Sequence, residues 1–241
     1  MSTGARRRLV ALLLTALTVG ALAWAVRLEL ASSPLQSRLL TRLTSAFQVT
    51  VEPGPNGHRP CPESGPFDPR RGDTQIPRCL WRLEGAGYAV ERQARLSPRL
   101  EAVIARGGFP LYRESSQGGL TIHDRSGDPV YKARHPERVF GDFARIPPLI
   151  AATLTFIEDQ DLLDLSIPSR NPAVEWDRLA AAGLNALVSA VVPTGQRFGG
   201  STLAVQLEKF RHSPGGRTDS PAEKLRQLVS ASARAYAAGP D

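Results

Sequence analysis

The sequence predicts a mainly helical fold, on the evidence of its composition, its N-terminus and the regular spacing of helix signals in its second half. Hydrophobic residues make up 41% of the 241 residues, aromatic residues 6%, and there is one Met. The core must therefore consist mostly of Leu, Ala and Val, and Leu and Ala are strong helix formers. Charged residues make up 22%, an ordinary globular proportion that excludes a disordered or fibrous chain.

Composition also excludes several kinds of site. Two cysteines cannot form a disulfide-dense scaffold or a four-cysteine zinc site, and no two of the four histidines have helical ligand spacing. The net charge is +7, but the basic residues lack interleaved aromatic residues. Together with the export predicted below, this makes nucleic acid a poor partner.

The N-terminus predicts a membrane anchor. Arg6-Arg7-Arg8 precede a run without charge from Leu9 to Val26, and Arg27 ends it. As a helix this run is roughly 27 Å long, close to a hydrocarbon core of about 30 Å. By the positive-inside rule, residues 1–8 are cytoplasmic, 9–26 span the membrane, and the rest is exported. The alternative is a cleaved signal peptide with a site such as Ala21-Leu22-Ala23, and it also predicts export.

The region 27–119 is predicted to be a juxtamembrane helix followed by a connector. From Pro34 to Phe47, Leu and Phe recur on one helical face, which either lies on anionic headgroups or packs on the next domain. Residues 49–78 are rich in Pro and Gly and predict a loop. Export makes a disulfide between Cys61 and Cys79 plausible, and two unpaired thiols are the alternative.

Strand and helix signals follow one another in the remaining sequence. A short helix begins at Ser97-Pro98, and two strands joined at Ser126-Gly127 occupy Leu120 to Tyr131. Four helices are then predicted from cap and turn residues. They run from Pro147 to Glu158, from Asn171-Pro172 to before Pro193, from Gly199-Gly200-Ser201-Thr202 to about Arg211, and from the capping box Ser220-Pro221-Ala222-Glu223 toward Ala238.

Two segments have the composition of a chemical site. Glu158-Asp159-Gln160-Asp161 follows an apolar stretch, and a carboxylate at such a boundary can become a usable base. The ordinary alternative is an acidic helix end, although acids there oppose the helix dipole. In the second segment, Gly199-Gly200-Ser201-Thr202 opens a helix among basic residues, which suits an anion such as phosphate. The ordinary alternative is a plain Ser/Thr cap, and the glycine spacing matches no nucleotide-binding loop.

Taken together, these motifs resemble the family 51 glycosyltransferase domain, the peptidoglycan transglycosylase of class A penicillin-binding proteins. The resemblance covers roughly Leu120 to Ala238. Ile146-Pro147-Pro148 with Glu158-Asp159 looks like the family's opening motif. The segment from Gly199 to Lys209 is similar to its Gly-x-Ser-Thr-x-x-Gln-Gln-Leu-x-Lys motif, and Glu223-Lys224-Leu225-Arg226-Gln227 takes the place of its Arg-Lys-x-x-Glu motif.

The resemblance implies a lysozyme-like helical domain over 120–241, preceded by a small β-hairpin region and one transmembrane helix. It implies a bacterial cytoplasmic membrane location, lipid II and nascent glycan as substrates, and other cell-wall synthesis proteins as partners. Glu158 is then the general base, and Gln227 takes the place of a second catalytic glutamate. A divalent cation, Mg²⁺ or Mn²⁺, could assist the diphosphate. The implied substrate-binding residues are Asp159, Gly200, Ser201, Thr202, Gln206, Lys209 and Lys224.

The sequence also departs from the family pattern. Val205 replaces the first Gln of the Gln-Gln pair, Gln227 is an amide that cannot ionise, and the family's later motifs do not occur before Asp241. We therefore expect a divergent, C-terminally truncated member with weakened or lost activity. Two other functions remain open: a module that binds lipid II or glycan without turnover, and a lysozyme-like hydrolase. The hydrolase normally needs a second carboxylate across the bond.

Overall fold

The computed structural model describes residues 3–57, 75–112, 117–135, 138–160, 162–164, 166–181 and 201–237. Within these ranges the chain is mostly helical and has two small antiparallel strand pairs, so the predicted mainly α class is confirmed. The elements are α1 (Thr3–Ser32), α2 (Pro34–Thr44), β1 (Val49–Pro53), α3 (Ile76–Gly85), β2 (Arg92–Leu96), α4 (Pro98–Ala105), β3 (Gly118–His123), β4 (Pro129–His135), α5 (Pro148–Glu158), α6 (Leu203–His212) and α7 (Pro221–Ala235). Residues 176–181 are also helical.

Helix α1 contains the predicted anchor and extends beyond it. Within the described residues, Val10–Ser32 is the one segment long and apolar enough to cross a membrane, and none of it is buried in the protein. The helix continues past Arg27 to Ser32. At about 1.5 Å per residue, the 30 residues of α1 measure roughly 45 Å, so the helix is longer than the hydrocarbon core of a bilayer is thick.

A tight turn joins α1 to α2. Ser33 has a left-handed backbone with φ of 50°, and its side chain does not cap α2. The carboxylate of Glu29 caps α2 instead, because it accepts hydrogen bonds from the backbone N–H groups of Leu35 at 2.8 Å and Gln36 at 2.9 Å. These N–H groups belong to the first turn, where a helix has no partners of its own. Helix α1 and helix α2 are therefore held together by a charged cap.

Helix α2 contacts the following domain through part of its predicted apolar face, whereas Leu35, Leu39 and Leu43 of that face are exposed, so contact of α2 with headgroups stays a prediction. Its Thr44 hydroxyl donates to the carbonyl oxygen of Tyr236 at 3.1 Å, just after α7. Burial, and to a smaller extent the charge of Glu29, raises the pKa of Tyr236 to about 12. Leu40 and Phe47 join an apolar cluster around the buried Leu100, Leu111 and Ala233.

The predicted connector 49–78 needs correction, because it contains β1 and the first turn of α3. Strand β1 pairs with β2 in antiparallel register, with Val49 opposite Leu96. A local loop signal could not reveal this pairing, since the partner strand is distant in sequence and the five residues of β1 are all exposed. Cys79 lies exposed on α3 as a free thiol, and Cys61 lies outside the described residues, so the disulfide stays a prediction.

Most predicted helix starts agree with the structure to within a few residues, but one start is wrong and some caps work differently. Ser220 caps α7 as expected, accepting from the backbone N–H of Glu223 at 3.1 Å. Ser97 precedes α4 but its hydroxyl donates to the carbonyl of Ala46 at 2.7 Å instead of capping the helix. The helix predicted from Asn171 begins at Trp176, because the Asn171 side chain accepts from the N–H of Ala173 at 2.9 Å in a local turn. Its predicted continuation beyond residue 181 lies outside the described residues.

A second apolar cluster brings together the elements that carry the predicted site. Buried Ala173 and Val174 meet Val205 of α6 and Ala231 of α7, with Trp176 and other partly buried residues around them. This packing places the start of α6 beside α7 and beside the segment that leads into residues 176–181. Three segments that are separated in the chain, two of which carry predicted motifs, thus share one framework.

Candidate active site

Glu158, the expected base, is the last residue of α5 and is half-buried. Its carboxylate oxygen Oε2 accepts a hydrogen bond from the side-chain amide Nε2 of Gln206, on α6. These two residues come from two separate predicted motifs, 48 positions apart. The structure therefore joins the acidic end of α5 to the basic helix α6 by a direct side-chain contact.

Arg178 fixes the same end of α5 from a third segment. Its Nη1 donates to the main-chain carbonyl oxygen of Glu158 at 2.7 Å and forms an ion pair with Glu175 at 3.2 Å. A helix ends with carbonyl groups that lack partners and carry partial negative charge, so a guanidinium there is favourable. Arg178 could not be singled out from the sequence motifs. The available signal was the acidic end of α5, which opposes the helix dipole and so calls for a nearby cation.

The surface beside Glu158 is strongly apolar. On α5, Leu149 is 78% exposed and Phe156 is 71% exposed, and Ile157 is exposed next to the carboxylate. A groove of about 590 Å³ runs between α5 and the preceding turn, lined by apolar side chains that include Phe143 and Ile146. A contiguous exposed apolar surface of this kind marks a binding or membrane-contacting region. Glu158 thus lies at a boundary between apolar and polar surface, as its sequence context predicts.

The start of α6 carries the second half of the candidate site. Thr202 is buried and caps α6 by accepting from the N–H of Val205 at 3.4 Å, so its hydroxyl supports the helix. Ser201 is partly exposed, and its hydroxyl accepts a hydrogen bond from the ammonium group of Lys224 on α7. Burial, and secondly the charge of nearby Lys209, lowers the pKa of Lys224. Two ammonium groups, a hydroxyl and a helix N-terminus therefore share one region, which suits an anion.

The donor set does not suit a metal ion. The groups gathered around Ser201 are ammonium and hydroxyl groups, whereas Mg²⁺ and Mn²⁺ prefer carboxylate and carbonyl oxygens. Across the described ranges, no three His, Cys, Asp or Glu side chains are grouped so that they could hold a metal. We therefore derive no step through a divalent cation.

The other expected site residues are dispersed or lie elsewhere. Gln227 is fully buried, and its amide bonds to the loop after α6: it donates to Ser213 Oγ at 2.8 Å and accepts from Thr218 Oγ1 at 3.0 Å. Asp159 is buried directly after α5. Gly200 lies outside the described residues. The residues that the structure brings together are thus Glu158 with Gln206, and Ser201 with Lys224 and Lys209.

Comparison with known protein families identifies the domain that contains this site. Residues 126–238 match the family model described as Transglycosylase. This segment is a transglycosylase domain. Comparisons with curated proteins and with solved structures give no match. The match begins in the turn between β3 and β4 and extends through α7, so it contains both halves of the candidate site.

A buried ion pair joins α6 to α7 within the transglycosylase domain. Glu208 on α6 is 1% exposed and pairs with Arg234 on α7, which also donates to the carbonyl oxygens of Tyr112 at 2.8 Å and Pro110 at 2.9 Å. This ion pair was not predicted from the sequence. The sequence feature that could have indicated it is the three-residue spacing between Val205 and Glu208, which places the Glu208 carboxylate on the same buried face of α6 as Val205.

Proposed function

We propose that the transglycosylase domain polymerises the glycan of lipid II, with Glu158 as the general base. The observation that carries the proposal is the contact between Glu158 and Gln206, which joins the first and second motifs into one site. The coarser assignment, a peptidoglycan glycosyltransferase-type domain, follows from the family match. The identity of the substrate and the role of each residue are the further proposal.

The proposed reaction is an inverting glycosyl transfer. The Glu158 carboxylate takes the proton of the 4-hydroxyl of the acceptor sugar, and that oxygen attacks the anomeric carbon of the growing chain. The new carbon–oxygen bond forms as the bond to the diphosphate breaks, and the electron pair leaves with the diphosphate-lipid. Gln206 orients the carboxylate, and Arg178 holds the end of α5 through the Glu158 carbonyl. A positioned base needs this kind of support to act in the required geometry.

The leaving diphosphate belongs on the side of Ser201, Lys209 and Lys224. Fixed cations and hydrogen-bond donors stabilise the charge that develops as the bond to the diphosphate breaks. The hydrogen bond between Lys224 and Ser201 supports this assignment, because it holds an ammonium group at the start of α6. Thr202 contributes indirectly by capping that helix.

The apolar surface of α5 suits the lipid part of such a substrate. We propose that α1 anchors the protein in a bacterial cytoplasmic membrane, with the transglycosylase domain on the outer face. Support comes from the apolar span Val10–Ser32 and from the exposed side chains of α5 beside Glu158. A lipid-linked donor could then stay in the bilayer while its sugar reaches the carboxylate.

Replacing Glu158 by Gln tests the proposed base. Glu158→Gln keeps the size of the side chain but removes the proton acceptor, so the rate of lipid II polymerisation should fall by about 10²–10⁴-fold. The measurement is the glycan chain yield from purified lipid II, with thermal unfolding to confirm folding. Glu84→Gln, on the exposed side of α3, is the matched control and should leave the rate unchanged.

Three results would contradict the proposal in different ways. An unchanged rate for Glu158→Gln would make Glu158 an ordinary helix-end acid. Saturable lipid II binding by the wild type without polymer would identify a binding module. Cleavage of finished glycan by the wild type would identify a hydrolase.

A further inference from the structure

One side of helix α2 carries an exposed stripe of leucines. Leu35, Leu39 and Leu43 recur every four residues, so they lie along the same side of the helix. Their exposed fractions are 65%, 60% and 47%, so the described part of the chain leaves this leucine stripe uncovered. These side chains lie outside residues 126–238, and none of them has a role in the proposed transfer reaction.

The side of α2 that contacts the rest of the protein is held largely by polar groups. The side-chain oxygen of Gln36 accepts a hydrogen bond from Asn171 at 2.9 Å, and the Thr44 hydroxyl donates to the carbonyl oxygen of Tyr236 at 3.1 Å. Leu40 is the one leucine of α2 that joins the neighbouring apolar cluster. A helix with a single partner turns its apolar side toward that partner, whereas three of the four leucines of α2 face away. The leucine stripe therefore calls for a second partner.

Two arginines border the leucine stripe. Arg38 follows Leu35 by three positions, and Arg42 follows Leu39 by three, so each guanidinium lies beside the stripe. Among the described residues, neither guanidinium has a hydrogen-bond or ion-pair partner, and α2 itself contains no acidic residue. An apolar stripe bordered by cations is complementary to an anionic lipid surface, because the leucines reach the acyl chains while the arginines stay among the phosphates.

The Glu29 cap places the start of α2 at the depth of the lipid headgroups. The uncharged run of α1 ends at Val26, and Glu29 lies three residues further, about 4.5 Å along the helix. Because the Glu29 carboxylate accepts from the N–H groups of Leu35 and Gln36, the first turn of α2 is held near that level. The headgroup layer is roughly 5–8 Å thick on each side of a bilayer, so α2 begins within this layer when α1 spans the membrane.

We propose that α2 lies in the plane of an anionic phospholipid surface, with the leucine stripe among the upper acyl chains and Arg38 and Arg42 among the headgroup phosphates. The inference rests on the proposed membrane anchoring of α1, and it is independent of the role of Glu158. A single spanning helix lets the domain that follows it rotate about the helix axis. A second contact through α2 fixes which side of the domain faces the lipid.

Photocrosslinking of the full chain in nanodiscs that contain phosphatidylglycerol tests the proposal. Replacing Leu39 by p-benzoylphenylalanine puts a group in the leucine stripe that bonds on irradiation to neighbouring C–H groups, and mass spectrometry identifies the adduct. We expect adducts with phospholipid. The same replacement at Leu22, which is exposed on α1, reports on the anchor and should also give lipid adducts.

The two positions separate this inference from the proposed anchoring. Lipid adducts at Leu22 without lipid adducts at Leu39 would overturn the inference for α2 alone. The absence of lipid adducts at both positions would overturn the anchoring as well. Adducts of position 39 with a second copy of the chain, or with the same chain, would overturn the inference because the leucine stripe would then be a protein contact.

Removing both arginines tests the electrostatic part of the proposal. An arginine near an anionic surface strengthens the attraction about fivefold, so Arg38→Gln with Arg42→Gln should lower the yield of lipid adducts at position 39 by at least about threefold. Arg125→Gln with Arg134→Gln removes the same charge from exposed positions of the β3–β4 hairpin and should leave the yield unchanged. All four arginines are exposed, so equal melting temperatures are expected. Equal adduct yields with and without Arg38 and Arg42 would overturn the proposal.

Discussion

At the scale of single residues, Gln227 shows how a position in a catalytic motif can serve the fold. Its buried amide donates to Ser213 and toward the carbonyl oxygen of Arg217 at 3.5 Å, and it accepts from Thr218. An amide can donate and accept at once, whereas an ionised carboxylate only accepts. Gln227 therefore pairs with both the acceptors and the donor of this loop, whereas an ionised glutamate could pair only with the donor.

Gln227→Glu should destabilise the protein without raising its polymerisation rate. The ionised carboxylate would lose the donated hydrogen bonds and face the Arg217 carbonyl, at a cost of about 1–3 kcal/mol in the free energy of unfolding. Burial raises the pKa of the new carboxyl in the folded state above its unfolded value, so the cost is full above the folded pKa, shrinks as the pH falls toward the unfolded pKa, and is absent below both. Melting temperatures measured from pH 8 to pH 5 should therefore approach those of the wild type.

Gln48→Glu is the control for this change, because Gln48 is exposed and the charge difference is the same. It should shift the free energy of unfolding by no more than about 0.5 kcal/mol. A gain in polymerisation rate for Gln227→Glu would show that the position reaches the reacting groups, which is incompatible with the loop-holding role.

The sequence predicted residue roles where one motif contains the whole explanation. Glu158 could be singled out because an apolar helix ends at an acid, and Ser220 because a complete capping box surrounds it. The contacts of Glu158 with Gln206 and Arg178 could not be predicted by position alone, since they depend on how three segments pack. The loop-holding role of Gln227 depends in the same way on partners before α7.

At the scale of elements, the junction of α1 and α2 depends on one carboxylate. Helix α2 has no capping side chain at Ser33, and Glu29 supplies both acceptors from the preceding helix. Its position near the positive end of the α2 dipole makes the negative charge itself favourable. Local sequence signals predicted α2, but they could not predict a cap from α1, since capping rules consider the residues flanking the helix.

Glu29→Gln should loosen the start of α2. The amide retains one acceptor oxygen and loses the charge, so at least one of the N–H groups of Leu35 and Gln36 loses its partner. We expect a loss of about 1 kcal/mol in the free energy of unfolding, with faster hydrogen exchange at those two amides. Glu91→Gln, at an exposed position before β2, is the control. Unchanged exchange at Leu35 and Gln36 would contradict the role of Glu29 as a cap.

At the scale of the whole molecule, two small apolar clusters share α7. One includes Ala233 and receives α2, and the other includes Ala231 and receives α6. The order of the helices could be predicted from the sequence. The packing of both clusters on α7 could not, because helical periodicity shows which face of a helix is buried and not which element covers it. Strand β1 was missed for a related reason, because the strand that pairs with it is distant in the sequence.

The proposed membrane topology predicts the side on which the C-terminus lies. Because Arg6-Arg7-Arg8 favour the cytoplasmic side, a reporter fused after Asp241 should be active outside the cytoplasm, and the fusion should stay with the membrane fraction. Alkaline phosphatase and green fluorescent protein fusions measured in parallel provide opposite readouts. Cytoplasmic fluorescence without phosphatase activity would contradict both the anchor and the signal-peptide interpretation.

The charged cap between α1 and α2 also determines how far the site can reach. Glu29 caps α2, and Thr44 of α2 donates to the carbonyl oxygen of Tyr236. These hydrogen bonds make the connection between α1 and the transglycosylase domain an ordered one. If α1 lies in the bilayer and Glu158 is the base, both as proposed, the carboxylate works at a nearly constant height above the lipid surface. Its substrates must then arrive by sideways diffusion within a thin layer, and the growing polymer must move away from a site that cannot follow it.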